Sequence, residues 1–208
     1  MNLKYNYWYW ESALPDHLCD QIVKFGLEKN KVQTGVTGGF DPDKLSNKDL
    51  ALIKSKRDSN IAWLDDNWIY REILPFVKQA NKNANWNFEI EKPENCQFTI
   101  YGPSQHYGWH CDSWEVPYGE DSKMEGFEGL TRKLSVTVSL SNPEDYEGGD
   151  FEIDHKNCVE KRQIENISKI KPKGSVLVFP SFMWHRVKPV YKGIRYSLVI
   201  WVCGKPFR

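Results

Sequence analysis

The run Leu134-Ser-Val-Thr-Val-Ser-Leu140 alternates strictly between an aliphatic and a hydroxyl-bearing residue. A strand turns successive side chains to opposite faces, so the segment reads as a strand with one apolar and one hydroxyl face. A helix would scatter both sets around its cylinder. From Gln97 onward the chain keeps this character, as short strands separated by turn formers. Asn142-Pro-Glu-Asp-Tyr-Glu-Gly-Gly149 reads as a turn, and Asp150-Phe-Glu-Ile153 resumes a strand. Ser175-Val-Leu-Val-Phe-Pro180 and residues 194–202 are the last clear strands. The pattern predicts a mainly β core of barrel or jelly-roll type.

The first half reads differently. Residues 5–10 look like a short aromatic strand. Pro15 then opens a helix to Glu28, with Leu18, Ile22 and Phe25 at helical spacing. Residues 31–48 carry turn formers and are expected to form a loop. A second helix is expected over 66–83, with Trp68, Ile69, Ile73, Phe76, Val77 and Ala80 inward. Pro75 falls inside that span and predicts a kink or break. Two N-terminal helices packed on a β core is the resulting architecture.

Composition narrows the function classes. The 208 residues suffice for one well-buried core. Lys plus Arg and Asp plus Glu stand at 28 each, and no basic run occurs, which argues against phosphate-driven nucleic-acid binding. Five cysteines, an odd number without a CxxC pair, fit a reducing compartment. No run approaches the ~20 apolar residues that span a bilayer, and the N-terminus lacks the apolar segment of a leader. The expectation is a cytoplasmic protein without membrane attachment.

Chemistry-bearing residues gather in two stretches. His110 and Asp112 lie two apart in Tyr107-Gly-Trp-His-Cys-Asp-Ser-Trp114, so a strand there points both to one face and Cys111 to the other. His185 follows in Met183-Trp-His-Arg-Val187, and Arg195 stands ten residues beyond it. Two imidazoles and one carboxylate on one side of a metal leave positions open for a co-substrate and O2, the arrangement of non-heme Fe(II) oxygenases. A lone His-x-Asp occurs by chance in many chains, and the distal His and Arg give the pattern its weight. The same ligands also suit a zinc-binding barrel that captures a ligand without catalysis.

Four segments between about residues 97 and 203 resemble the prolyl-4-hydroxylase-like branch of the Fe(II)/2-oxoglutarate oxygenases. Tyr101-Gly-Pro-Ser-Gln-His-Tyr-Gly-Trp-His-Cys-Asp112 is similar to that family's Tyr…Tyr…His-x-Asp strand pair. Residues 134–153 resemble the strand, turn and Gly-Gly strand that follow. Gly174-Ser-Val-Leu-Val-Phe-Pro180 with His185-Arg-Val-Lys-Pro189 resembles the distal-His hairpin, and Arg195-Tyr-Ser-Leu-Val-Ile-Trp201 the co-substrate strand. The N-terminal half, including Ala62-Trp-Leu64, is less specifically similar to small phage and bacterial members.

The resemblance implies a double-stranded β-helix, jelly-roll or cupin-like, within a single domain over 1–208. Helical support would run to about residue 90 and the β-helix core from about 91. It implies Fe(II) held by His110, Asp112 and His185, the catalytic set. It further implies 2-oxoglutarate bound by Arg195 with the phenol of Tyr101, O2 as oxidant, and ascorbate as a reductant. Arginine's planar fork suits the distal carboxylate, although lysine serves in many members. The implied reaction hydroxylates a C–H bond, of a prolyl or similar residue in a peptide or protein, and releases CO2 and succinate. Asp112 favours hydroxylation, since related halogenases carry a small residue there. Nucleic-acid demethylases of the superfamily carry a second arginine six residues after the first, where this chain has Trp201, so a nucleobase or small molecule ranks as the alternative substrate. A phage-borne member would work in its host's cytoplasm.

Other residues invite plainer readings. His17, His106 and His155 are expected to be solvated, His106 in a loop and His155 beside a turn. Gly148-Gly149 is expected to serve backbone geometry. Ser135, Thr137 and Ser139 are candidates to line the barrel near the co-substrate. Trp109, Trp114 and Trp184 flank the ligands as core residues or as a wall against water. The Gly- and charge-rich stretch 113–131 is a candidate lid, as is 31–48.

Overall fold

The computed structural model describes residues 3–29, 33–34, 46–120, 124–156 and 161–207. Strand β1 (Trp8–Trp10) leads into helix α1 (Asp16–Glu28), strand β2 (Gln33–Thr34) and helix α2 (Asn47–Lys56). Strands β3 (Arg57–Asp58) and β4 (Asn60–Leu64) precede helix α3 (Asn67–Asn83). The β-rich half holds β5 (Lys92–Pro93), β6 (Cys96–Tyr101), β7 (His106–His110), β8 (Thr131–Ser139), β9 (Tyr146–Gly148) and β10 (Phe151–Asp154). It closes with β11 (Ile164–Asn166), β12 (Val176–Pro180), β13 (His185–Val187), β14 (Val190–Gly193) and β15 (Arg195–Gly204).

The large sheet runs β1-β12-β8-β15-β6-β4-β2, with β5 also on β15, and the smaller runs β11-β10-β13-β7-β3. Strands β14 and β9 form a separate pair. Every strand pairing described is antiparallel. The strands cross over in sequence, as in the double-stranded β-helix expected.

Alternation on the large sheet makes two cores. Leu134, Val136, Val138, Val176, Val178, Leu198, Ile200 and Val202 face outward against the helices, with Leu18, Cys19 and Ile22 of α1 and Ile69, Ile73, Val77 and Ala80 of α3. Leu177 and Phe179 face inward and meet Phe151, Ile153 and Val187 of the smaller sheet, together with Tyr101. Strand β12 is apolar on both faces because it has a core on each side.

Helix α3 buries Ile69, Ile73, Val77 and Ala80, the i, i+4, i+8, i+11 stripe of an amphipathic helix. The expected break at Pro75 does not occur, and the helix runs through it. Pro75 is exposed, so the carbonyl left without its N–H partner can turn to water.

Other expectations shift. The helices number three among the described residues, not two. Helix α2 buries nothing and so has no apolar stripe to read. Its start was nevertheless encoded: Ser46 Oγ accepts from the Asp49 N–H at 3.2 Å, an N-cap. The expected loop 31–48 therefore contains β2 and the start of α2, while 31–32 and 35–45 lie outside the described residues. The aromatic strand expected over 5–10 shortens to β1. No helix among the described residues is long and apolar enough to cross a membrane.

Candidate metal centre

Strands β7 and β13 pair with His110 directly opposite His185, so the two imidazoles start as cross-strand neighbours, ring centroids 4.1 Å apart. Between this pair and Tyr107↔Val187, β7 advances three residues while β13 advances two. That extra residue is a β-bulge, a device that re-aims side chains beside functional sites. It brings Tyr107, three residues before His110, onto the same side, where the two rings stack at 3.4 Å and 11°.

Asp112 is not on the strand. Strand β7 ends at His110, so the expected alternation of His110 and Asp112 along one strand does not hold. A turn-like anchor takes its place: Asp112 N and Ser113 N both donate to Ser181 O, at 2.8 and 3.0 Å. Arg132 Nη1 also donates to Asp112 O at 3.4 Å. The side chain is carried to the same place by a different route. One ligand atom from each of His110, Asp112 and His185 lies within 4.8 Å of the others. Asp112 Oδ1 is 3.7 Å from His110 Nε2, and Oδ2 is 3.5 Å from His185 Nε2.

The donor set fits a metal ion. His110 Nδ1 lies 2.8 Å from Gly108 O and His185 Nδ1 2.9 Å from Met183 O. A carbonyl only accepts, so each Nδ1 carries a proton, and Nε2, which faces Asp112, is the atom left to a metal. Burial, with His185 beside it, pulls the His110 pKa down to about 3, which keeps the ring neutral as a ligand must be. Burial alone would raise the Asp112 carboxyl; His185, His110, Arg132 and the Ser135 hydroxyl outweigh it and hold the acid below its ordinary range. Ser135 Oγ donates to Asp112 Oδ2 at 2.7 Å and sits 2.9 Å from Ser181 Oγ.

Arg195 and Tyr101 are brought together on the large sheet. They are opposite each other in the β15–β6 register, with the guanidinium carbon 5.5 Å from the phenol ring centroid. Both are buried. Arg195 Nη1 donates to Ser197 Oγ at 3.3 Å, and no carboxylate pairs with it among the described residues. Burial raises the Tyr101 phenol above its ordinary range. Ser135, Thr137 and Ser139 are all buried on the inner face of β8.

Sequence reasoning missed the Glu94–Arg132 pair. Arg132 Nε and Nη2 donate to the two Glu94 oxygens at 2.7 and 2.5 Å, and Tyr118 Oη donates to Glu94 Oε1 at 2.6 Å. The Arg132 guanidinium lies over Trp201 at 3.8 Å and Trp114 at 4.6 Å. Tyr118 thereby ties the 113–131 stretch to the barrel, although 121–123 lie outside the described residues. Nothing local in the sequence signals a pair 38 residues apart.

The remaining candidates scatter. Trp114 is 52% exposed, so it is not core. Trp109 packs under Arg162 and Arg186 rather than facing the ligands. Cys111 contacts Ser113 O, away from the centre. His17 is exposed as expected. His106 sits on β7 rather than in a loop. His155 is engaged rather than solvated, with Glu165 at 2.5 Å and Asn6 at 2.8 Å.

Comparison with known proteins bears on this geometry. The signature of the 2OG-Fe(II) oxygenase superfamily matches residues 96–203, about half of the chain. A PKHD-type hydroxylase of Crocosphaera subtropica is 35% identical over 106 residues, covering 51% of this chain and 41% of the relative. The match thus spans less than half of that relative's length. Among solved structures, the viral collagen prolyl hydroxylase of Paramecium Bursaria Chlorella virus-1 superposes with a TM-score of 0.63 at 20% identity, covering 97% of both chains. A Pseudomonas putida prolyl-4-hydroxylase gives 0.62 at 17%, covering 98% of this chain and 95% of its own. At these identities the structural likeness speaks for the fold.

Proposed function

This chain belongs to the 2OG-Fe(II) oxygenase superfamily, and on that premise we propose that it hydroxylates a C–H bond of a prolyl or similar residue in a peptide or protein. Fe(II), 2-oxoglutarate and O2 are the reagents, and CO2 and succinate the co-products. The observation that carries the reading is the convergence of His110, Asp112 and His185 with both histidine Nδ1 protons already committed to backbone carbonyls. Iron bound there supplies the coupling of 2-oxoglutarate decarboxylation to O2 activation.

The chain's own residues do the rest. His110, Asp112 and His185 hold the ion. Arg195 presents a two-pronged donor to the distal carboxylate of 2-oxoglutarate, with the Tyr101 phenol beside it. Phe179 and Phe151 pack on His185 at 4.7 and 5.5 Å and keep water from that ligand. Trp114, half exposed and packed against Arg132, whose Nη1 donates to Asp112 O, is placed to receive the substrate. Flat indole surfaces suit a prolyl ring, and both related structures above are prolyl hydroxylases. The helical N-terminal portion serves as support for this core, and ascorbate acts as the reductant that keeps the metal ferrous.

Mass spectrometry of candidate peptides and cell extract tests the substrate class. The expected result is peptide products one oxygen heavier that appear only with 2-oxoglutarate. Oxygen gained only by nucleosides or small metabolites would reassign the substrate. Anaerobic addition of Fe(II) and 2-oxoglutarate should give a weak visible charge-transfer band. Its absence in a folded, metal-loaded protein would point instead to a ligand-capturing barrel.

A further inference from the structure

We propose that Gly149 is a positioning residue for Arg195, so that the two adjacent glycines 148 and 149 serve different purposes. The inference rests on the reading of Arg195 as the 2-oxoglutarate anchor. Arg195 is 3% exposed, and its guanidinium has a hydroxyl, Ser197 Oγ, as its hydrogen-bond partner. A long side chain held by so little at its tip depends on packing along its stem. Tyr101 flanks the guanidinium end, and Gly149 flanks the stem. A Cβ on Gly149 would lie 2.9 Å from Arg195 Cδ, 3.1 Å from Val190 Cγ2 and 3.2 Å from Tyr146 Cε2. Both residues also line a cavity of about 20 Å³ with Ser139, Tyr146 and Lys171, so the stem has little room to retreat.

Gly148 supplies the contrast. A Cβ there would meet Pro189 O at 2.4 Å, a backbone collision, and the Tyr191 ring at 2.8 Å, with Arg195 not among its nearest neighbours. Both glycines have positive φ, +80° at Gly148 and +64° at Gly149. Either alanine therefore carries conformational strain. Only alanine at 149 also pushes on the arginine.

A double-mutant cycle separates the two effects, because conformational strain at 149 is the same whether or not Arg195 is present. Thermal melts are compared for the wild type, Gly149→Ala, Arg195→Ala and the double variant, without metal or keto acid. Gly149→Ala should lower the melting temperature more beside Arg195 than beside Ala at that position, where the Cδ contact is gone. If Gly149→Ala alone fails to fold, recovery of folding in the double variant gives the same answer. An equal drop in both backgrounds, or failure of the double variant as well, would overturn the proposal.

The functional half is read by calorimetric titration of 2-oxoglutarate into Mn(II)-loaded protein. Gly149→Ala should weaken binding about tenfold, the consequence of ~1.4 kcal/mol of lost contact, with Mn(II) affinity unchanged. Gly148→Ala should bind 2-oxoglutarate like the wild type despite its own loss of stability. Equal weakening by both glycine variants would mean general loosening and would sink the idea. If Arg195→Ala itself binds 2-oxoglutarate normally, the parent reading falls, while the melting cycle still judges the packing claim separately.

Discussion

Strand β8 carries the molecule's two interiors back to back. Its outward residues Leu134, Val136 and Val138 enter a core of apolar side chains from five strands and two helices. Its inward residues Ser135, Thr137 and Ser139 face the space that holds Asp112 and Arg195, equally buried but polar. Apolar burial yields roughly 25 cal/mol per Å², whereas buried polar groups lose their water and regain at best a hydrogen bond each. One face of the same strand therefore supplies stability, and the other holds groups whose burial is costly unless a ligand completes them. Stability and chemistry should then be separable by mutation, and the predictions below try to break that separation.

The largest effect is expected at Asp112. Asp112→Ala should end succinate production while the metal-free melting temperature stays within a few degrees of wild type. Burial works against the Asp112 carboxylate and its polar neighbours work for it, so the two largely offset and its removal should cost the metal-free fold little. Near-normal turnover would remove Asp112 from the metal site; collapse of the fold would mean the inner face is structural after all. His185→Ala should behave the same way in turnover.

The opposite pattern is expected in the outer core. Ile73 is fully buried on the α3 face packed against the large sheet. Ile73→Ala should cost about 2–5 kcal/mol in urea unfolding, from lost transfer energy and the cavity left behind. The 2-oxoglutarate requirement of the fraction still folded should not change. A raised requirement at that distance would show that the helices set the site's geometry.

Arg195→Ala comes next. Loss of charge-assisted hydrogen bonds to the distal carboxylate should raise the 2-oxoglutarate requirement by roughly ten- to a hundredfold, as about 1.5–3 kcal/mol predicts. Metal binding should persist. Kinetics at varied 2-oxoglutarate would check it, and an unchanged dependence would exclude the arginine from that role.

These residues differ in how legible they were. The β core, α1 and α3 follow from periodicity: each helix buries one regular stripe, and β8, buried on both faces, alternates aliphatic with hydroxyl side chains. Helix α2 escaped because it buries nothing, leaving its Ser46 cap as the lone signal. His110, Asp112, His185, Arg195 and Tyr101 stand out by residue type and order, yet strand alternation is not what makes His110 and Asp112 converge. Strand β7 stops at His110, and a backbone anchor to Ser181 carries Asp112 to the same place. The carbonyls of Gly108 and Met183 could not be named beforehand, since any residue offers a carbonyl and only the fold says which one faces a ring. Glu94 with Arg132 was invisible for the same reason, being a contact made by topology between distant strands.

The smallest effect, and the sharpest test of the inner face, is at Ser135. Its hydroxyl donates to Asp112 Oδ2 and meets Ser181 Oγ, so it orients the carboxylate without touching a ligand position of its own. Removing it takes one hydrogen bond from each of two buried oxygens, and stability should fall by about 1 kcal/mol. Metal retention should fall further, about tenfold, because groups that orient a ligand are felt mainly through the ion. Titration of Mn(II) into Ser135→Ala, beside its urea midpoint, compares the two directly. A loss in stability with no loss in metal affinity would place Ser135 with the outward residues of its own strand, and the division of β8 into two interiors would fail at its nearest point to the metal.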